Sequence, residues 1–502
     1  MKKNKLPYKY NLITFILSFG LVSCQENSQL DKKEIANGVK RPNIIVIFTD
    51  DQGYADIGIH AQVNDVKTPN IDALAMGGVR MTSGYVTAPQ CIPSRAGLIT
   101  GRYQQRFGTD QNGTRPLPLS EKTIADKMQA AGYVTGMAGK WHLQPNHVQQ
   151  DWINENMPEL REKKKITSSD IPFERKIPYM PPGKGFEQVF AGTINGYWAT
   201  YNLQGKDINA QTIRDDDFRL DVQTDAAVAF IEKNQNSSFF FYLSYFAPHV
   251  PLEATEKYLS RFPEDMPERR RYSLAMISAM DDGVGRIKQS LRDLDLEDNT
   301  LIYFISDNGA PLKIHKEDRS LAFKGVAWNG SLNEPYVGEK GMISEGGIRV
   351  PFIMNWPAGL PKGKVYDRPV SSLDVAATSL AMAGVNRDPQ LDGVNLLPYL
   401  NGEKQGDPHE ALFWRFWQQA AVREGDFKYM TAGKREFLFN LASEEHETKN
   451  LIKQYPGKAK ELNAKLKNWT DQLHTRGIPE GDLKAEKGWF DHYFPVLHKE
   501  SY

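Results

Sequence analysis

The sequence predicts an α/β fold: a mostly parallel sheet with helices on both faces, followed by a smaller C-terminal α+β subdomain with a short antiparallel sheet. Three observations predict it. The runs Pro42–Thr49 (PNIIVIFT), Ser238–Phe246 (SFFFYLSYF) and Thr300–Ser306 (TLIYFIS) are apolar without polar alternation, as strands buried on both faces are. Helical patterns alternate with these runs, which implies parallel strands covered on both sides. Past residue 405 the chain turns aromatic and charged, with short runs between turns: Leu412–Trp417, Ala420–Arg423, Phe427–Thr431 and Glu436–Asn440.

The chain of 502 residues is long enough for a large core and two packed units. Its 62 Lys+Arg balance its 62 Asp+Glu, so no nucleic-acid partner is expected. Any anion must be bound by a local arrangement. Cys24 and Cys91 are the two cysteines, and their different contexts exclude a disulfide framework.

Lysines in Met1–Lys9 precede the apolar run Leu12–Val22. That run is too short to span a bilayer and reads as a secretory signal over residues 1–23. Leu21-Val22-Ser23-Cys24 resembles a bacterial lipobox, which implies lipidation of Cys24 and a membrane anchor. An ordinary cleavage site with an incidental cysteine is the alternative. The resulting expectation is an exported bacterial lipoprotein in the outer membrane, at the cell surface or in the periplasm. Residues 24–40 read as a polar tether, 41–405 as the main α/β domain and 406–502 as the C-terminal subdomain.

The first strand runs into Asp50-Asp51-Gln52-Gly53. Adjacent carboxylates repel unless a cation lies between them, so the pair suggests a hard divalent ion; a solvated turn is the alternative. Thr68-Pro69-Asn70 starts a short helix with Thr68 as its cap. In Cys91-Ile-Pro-Ser-Arg95, Pro93 suits the first helical position and Gly101 the helix end. Cys91 should then sit just before a helix amino terminus, where free N–H groups attract an anion, with Arg95 one turn in. Alone, such a cysteine reads as a buried structural thiol.

A helix from Ser120 to Ala131 ends at Gly132, and the strand Tyr133–Ala138 leads into Gly139-Lys140-Trp141-His142. Two residues apart at a strand end, Lys140 and His142 point to the same side. Residues 143–220 contain long polar loops, with no strand expected among them. There Tyr197, Trp198 and Tyr201 fit a sugar-stacking platform or, better, the core. A helix follows at Leu220–Gln235, and His249 closes the strand that follows it. Arg269–Leu294 is a long amphipathic helix. Asp307-Asn308-Gly309 follows the next strand and again suggests a cation site. Then come Gly338-Glu339-Lys340-Gly341 and Glu345-Gly-Gly-Ile-Arg349-Val-Pro351, with Glu345 and Arg349 expected to hold that loop together. Helices are expected at Leu373–Ala383 and Ala459–Leu473. The tail has too many aromatics, Trp489, Phe490, Tyr493 and Phe494, to be unpacked.

Four chemical segments, at 50–51, 140–142, 249 and 307–308, each follow an apolar β run. In open α/β sheets, ligand sites lie at the carboxyl ends of the strands. These segments can therefore converge on the helix that starts near Cys91.

The pattern C-x-P-S-R followed by L-x-T-G-R, over 91–102, resembles the signature of the type I, formylglycine-dependent sulfatases. The D-D-Q-G, G-K-x-H, P-H, D-N-G and G-x-K-G…E-G-G-x-R-V-P segments match in order, so the resemblance covers most of 41–356. It implies an alkaline-phosphatase-like catalytic fold with a small C-terminal subdomain. It further implies that a maturation enzyme oxidises Cys91 to formylglycine (3-oxoalanine), whose hydrate attacks sulfur through one hydroxyl and expels sulfate through the other. One Ca²⁺, with Mg²⁺ the lesser alternative, would be held by Asp50, Asp51, Asp307, Asn308 and the modified Cys91. Arg95 would support both nucleophile and metal site, while Lys140, Lys340 and His249 would bind the sulfate. His249 would be the acid for the leaving group and His142 the base, though sequence leaves the two histidine roles exchangeable. The implied substrate is a sulfated carbohydrate: an algal glycan such as ulvan or carrageenan, or a glycosaminoglycan. Lys313, His315, Trp328 and Arg415 could line its pocket or be structural. The rival readings are a phosphate-ester hydrolase of the same superfamily and a non-catalytic, surface-tethered glycan binder.

Overall fold

The computed structural model describes residues 41–113, 115–146, 148–163, 166–443, 446–474 and 483–495. The signal segment, Cys24 and the tether lie outside these residues. In chain order the strands are β1 (Asn43–Thr49), β2 (Val79–Met81), β3 (Gly84–Tyr85), β4 (Val134–Gly139), β5 (Gln188–Gly192), β6 (Gly196–Tyr201), β7 (Asp207–Arg214), β8 (Phe239–Ser244), β9 (Thr300–Ser306) and β10 (Phe352–Asn355). They continue with β11 (Lys364–Tyr366), β12 (Val370–Ser371), β13 (Leu412–Phe416), β14 (Gln419–Glu424), β15 (Phe427–Ala432) and β16 (Arg435–Asn440).

Ten of these form the main sheet, in the order β11-β2-β10-β9-β1-β8-β4-β5-β6-β7. The five central strands β9, β1, β8, β4 and β5 are mutually parallel. β1, β8 and β9 are buried at every position, as their unbroken apolar runs require. Period-two alternation divides β1 between two cores. Ile44, Val46 and Phe48 face the Cys91–Thr100 helix and the C-terminal sheet. Ile45 and Ile47 face the helices Arg219–Lys233 and Glu268–Asp293.

The structure departs from the sequence reading in several places. β10 runs antiparallel to both β9 and β2, so the sheet is mixed on that side. Residues 143–220 are not only loops: β5, β6 and β7 extend the sheet as an antiparallel meander. β7 was hidden because it is an edge strand, mostly exposed and polar, with no apolar face to betray it. Tyr197 and Tyr201 are wholly buried against Phe190, and Trp198 packs on Phe173; none forms a sugar platform. Thr68 precedes the helix Pro69–Met76 without capping it, because its hydroxyl bonds Asp72 and the Gly58 N–H instead. The helix Ile124–Ala130 is capped, with Thr123 and Asp126 closing a reciprocal box.

β13 to β16 form the expected antiparallel sheet, covered by the helix Pro456–Thr470. Its other face shares the core of the main sheet: Trp414, Phe437 and Phe439 cluster with Phe352 and Tyr85. The tail helix Leu483–Tyr493 closes this core with Phe490, and Phe494 follows. Three groups buried without solvent access tie the two sheets together. Lys428 Nζ lies 2.9 Å from Glu345 and 2.8 Å from Glu447. Glu345 also accepts from Tyr85 Oη at 2.6 Å and pairs with Arg349 at 3.1 Å. The loop-holding role expected of Glu345 and Arg349 is what they perform.

Candidate active site

Because β9, β1, β8 and β4 are parallel neighbours, their carboxyl ends lie along one edge. Asp50 and Asp51 leave β1, Lys140 and His142 leave β4, His249 lies beyond β8, and Asp307 and Asn308 leave β9. The helix Cys91–Thr100 points its first residue at this edge. It begins two residues earlier than Pro93 suggests, with Gln90 as cap residue, so Cys91 is itself the first helical position. Gly101 ends it in the left-handed region at φ 66°, as expected.

Cys91 is 1 % exposed, yet its surroundings are polar. Its Sγ lies 3.5 Å from Asp50 Oδ1, 3.9 Å from Asp51 Oδ1 and 3.2 Å from Lys340 Nζ. Burial, and then the Asp307 charge, push its thiol well above the ordinary range. An unmodified Cys91 is therefore a neutral thiol and a weak nucleophile.

Three carboxylates and three cations interlock around it. Lys140 Nζ sits 2.6 Å from Asp50 Oδ2, and Lys340 Nζ sits 2.6 Å from Asp51 Oδ1. Arg95 Nη2 lies 2.8 Å from Asp307 Oδ2 and 3.5 Å from Asp50 Oδ1. Burial alone would raise Asp50, but Lys140, His249, Arg95 and Lys340 outweigh it and hold the carboxyl well below its usual range. Asp51 is lowered in the same way, chiefly by Lys340. Burial and the Asp50 charge push Asp307 up against the pull of Arg95. Asp51 adopts φ 63°, which turns its N–H onto Asp307 Oδ1 at 3.0 Å. Arg95 is braced by hydroxyls of Tyr242 and Ser244. Sequence reasoning passed over both. Their signal was two hydroxyls at alternate positions of an otherwise apolar strand, hence on one face.

This acceptor set suits a hard divalent cation. Asp50 and Asp307 are fully buried, and ligand atoms of Asp50, Asp51, Cys91 and His249 lie within 4.8 Å of one another. Asn308 Oδ1 is a buried acceptor with no partner, while its Nδ2 donates to Asp51 at 2.7 Å. An orphaned buried carbonyl beside two carboxylates is what an oxygen-seeking ion would satisfy. The sequence-based set named Asp307 and not His249. Asp307 is bonded to Arg95 and the Asp51 N–H, but each of its oxygens keeps a second lone pair.

His249 stands between two clefts. One, of about 570 Å³, is lined by Asp51, Lys313 and Lys340; the other, of about 390 Å³, by Lys140, His142 and Phe246. Its Nδ1 meets the Val250 carbonyl at 2.5 Å and its Nε2 lies 3.7 Å from Asp51 Oδ2. A carbonyl only accepts, so Nδ1 carries hydrogen and Nε2 faces the site. Burial lowers the pKa of His249, and burial with the Lys140 charge lowers that of His142 strongly. His142 has φ 63° and a buried Nδ1 without a partner. Of the four further candidates, Lys313 lines the first of these clefts. Arg415 is buried in a pair with Asp110 at 3.0 Å, Trp328 donates to the Ser331 carbonyl at 2.6 Å, and His315 packs on His492. Arg415 and Trp328 are structural, while His315 is exposed.

Comparison with known proteins agrees with this geometry. The profile described as Sulfatase matches residues 42–385, and that of "N-sulphoglucosamine sulphohydrolase, C-terminal" matches 336–476. The chain is 32% identical over 435 residues to human "Arylsulfatase H", covering 74% of this chain and 75% of the relative. It is 31% identical over 407 residues to "Uncharacterized sulfatase YdeN" of Escherichia coli (strain K12), covering 74% and 68%. Among solved structures it resembles "Ps i-CgsB in complex with k-i-k-neocarrahexaose", with TM-score 0.72 and 28% identity, over 92% of this chain and 99% of that one.

Proposed function

The chain belongs to the sulfatase family and is a sulfuric ester hydrolase, and we propose that it hydrolyses sulfate esters of a sulfated polysaccharide or oligosaccharide using formylglycine made from Cys91 and one Ca²⁺ ion. The observation that carries this reading is the position of Cys91. Its Sγ touches Asp50, Asp51 and Lys340 at the carboxyl edge of the sheet, where a structural thiol would be among apolar side chains. A sulfated galactan of the carrageenan type is the favoured substrate, because the solved relative named above carries a neocarrahexaose. Ulvan and glycosaminoglycans are the other candidates. The two clefts flanking His249 support a substrate longer than one sugar.

A sulfate ester repels nucleophiles and has a poor leaving group, so its hydrolysis needs charge neutralisation and a proton donor. Formylglycine would supply, as its hydrate, a nucleophilic hydroxyl where Cys91 Sγ now lies. Ca²⁺, held by Asp50, Asp51, Asp307 and Asn308, would supply the charge that acidifies that hydroxyl and polarises the sulfate. Lys140 and Lys340, paired with Asp50 and Asp51, would bind the sulfate oxygens once Ca²⁺ neutralises those carboxylates. Arg95 keeps Asp50 and Asp307 aligned. His249, at the junction of the clefts with Nε2 inward, gives its proton to the leaving sugar oxygen. A bound sulfate favours its protonated form. His142, on the Lys140 side, would take the proton of the second hydroxyl as the sulfate is expelled.

The test is a screen of sulfated oligosaccharides for released sulfate, with protein matured in its native host. Cys91→Ala should fold and release none; turnover by that variant equal to the parent's would sink the nucleophile assignment. Mass spectrometry of the Cys91 peptide should find an aldehyde, and an unmodified thiol in active protein would refute the modification. We also propose export and lipid anchoring at Cys24. Labelled palmitate should enter the chain and fail to enter Cys24→Ala.

A further inference from the structure

Three residues within four positions, Lys313, Ile314 and Lys316, take left-handed backbone at φ 53°, 64° and 49°. Each costs on the order of 1 kcal/mol outside glycine and persists only where the surroundings enforce it. At Lys313 and Ile314 the enforcing group is Glu339, which has no solvent exposure. Its carboxylate accepts the Lys313 N–H at 2.6 Å and the Ile314 N–H at 2.8 Å. Glu339 also immediately precedes Lys340, whose Nζ reaches Asp51 and Cys91. One buried carboxylate thus fixes two lysines side by side.

Lys313 lines the same cleft as Asp51, His249 and Lys340. Its side chain is half-buried, and the ammonium makes no hydrogen bond or ion pair among the described residues. The charges facing it are Glu339 and Asp51, which attract, and Lys340, which repels. Lys340 is committed to the reacting sulfate. A half-desolvated ammonium with no partner has more to gain from an anion than an exposed lysine has.

We propose that Lys313 is a specificity-determining residue that binds a second anionic substituent, sulfate or carboxylate, on the sugar next to the one that loses its sulfate. This rests on the sulfatase reading and deepens it. The preferred substrate is then a glycan charged on successive sugars.

The test compares the wild type with Lys313→Met and Lys313→Arg on matched oligosaccharides. One carries only the cleavable sulfate, one adds a sulfate on the adjoining sugar, and one adds a carboxylate there. In Lys313→Met the kcat/KM ratio of doubly to singly charged substrate should fall about tenfold, mainly through KM, the worth of one charge-assisted hydrogen bond. Lys313→Arg should retain it, and the arm that falls further identifies the anion. A ratio within about twofold of wild type on both arms overturns the proposal. Calorimetric binding of the same oligosaccharides to Cys91→Ala and to Cys91→Ala/Lys313→Met gives the ratio without turnover. If wild type releases no sulfate from any substrate, the sulfatase reading fails while this binding ratio still judges Lys313.

Discussion

Lys428→Met tests whether the small C-terminal sheet shapes the active site. Lys428 Nζ has no solvent exposure, lies 2.9 Å from Glu345 and 2.8 Å from Glu447, and donates to the Ile343 carbonyl at 2.8 Å. Those partners belong to the loop that follows Lys340 and to the turn after β16. Methionine matches the volume but removes the charge. It leaves Glu345 with Arg349 and Tyr85 for partners, and leaves Glu447 buried beside a like charge. Breaking one partner out of a buried ionic cluster costs about 3–5 kcal/mol, because the remaining charge stays desolvated. Glu447, already pushed up by burial and by Glu345, should then take up a proton and limit the loss to about 3 kcal/mol. The assay is urea denaturation of Lys428→Met, of Glu447→Gln and of the double variant, with sulfate release measured on each. The single Lys428 variant should raise KM, since the loop carrying Lys340 loses its tie to the sheet. The double variant should recover about half the lost stability, because no unpaired charge remains. A loss below about 1 kcal/mol for Lys428→Met, with KM unchanged, would refute the reasoning.

Exhaustive chelation should abolish sulfate release and added Ca²⁺ should restore it; full activity in chelator would remove the metal from the mechanism. Gly309→Ala should abolish activity, because a Cβ there would lie 1.8 Å from the Gly346 carbonyl oxygen and force the Asp307–Asn308 turn away from the loop after Lys340. An active Gly309→Ala enzyme would mean that the two loops need no close contact. His60 is buried against Tyr54, and burial lowers its pKa to about 3. A depressed histidine favours the fold above its unfolded pKa, and that advantage is lost as pH falls from about 6.5 toward 3. Wild type should lose about 3 kcal/mol more between pH 7 and 4.5 than His60→Gln does; parallel pH profiles by urea titration would contradict this.

The sequence alone determined the parallel strands β1, β8 and β9, because unbroken apolar runs such as Asn43–Thr49 leave no other way to bury both faces. It also marked the candidate site residues. Polar motifs directly after buried strands must emerge at one edge, and Asp50, Lys140, His249 and Asp307 do so around Cys91. Only the tertiary structure decided the rest. β7 has no apolar period of its own and is a strand because β6 supplies its hydrogen bonds. Tyr242 and Ser244 gain meaning only when the Cys91–Thr100 helix brings Arg95 across β8. Lys313 could line the pocket or be structural as far as the sequence goes, and only Glu339, 26 residues away, fixes its backbone at the cleft. Periodicity is local and can be read along the chain, whereas partners distant in sequence are chosen by packing, which no local pattern records.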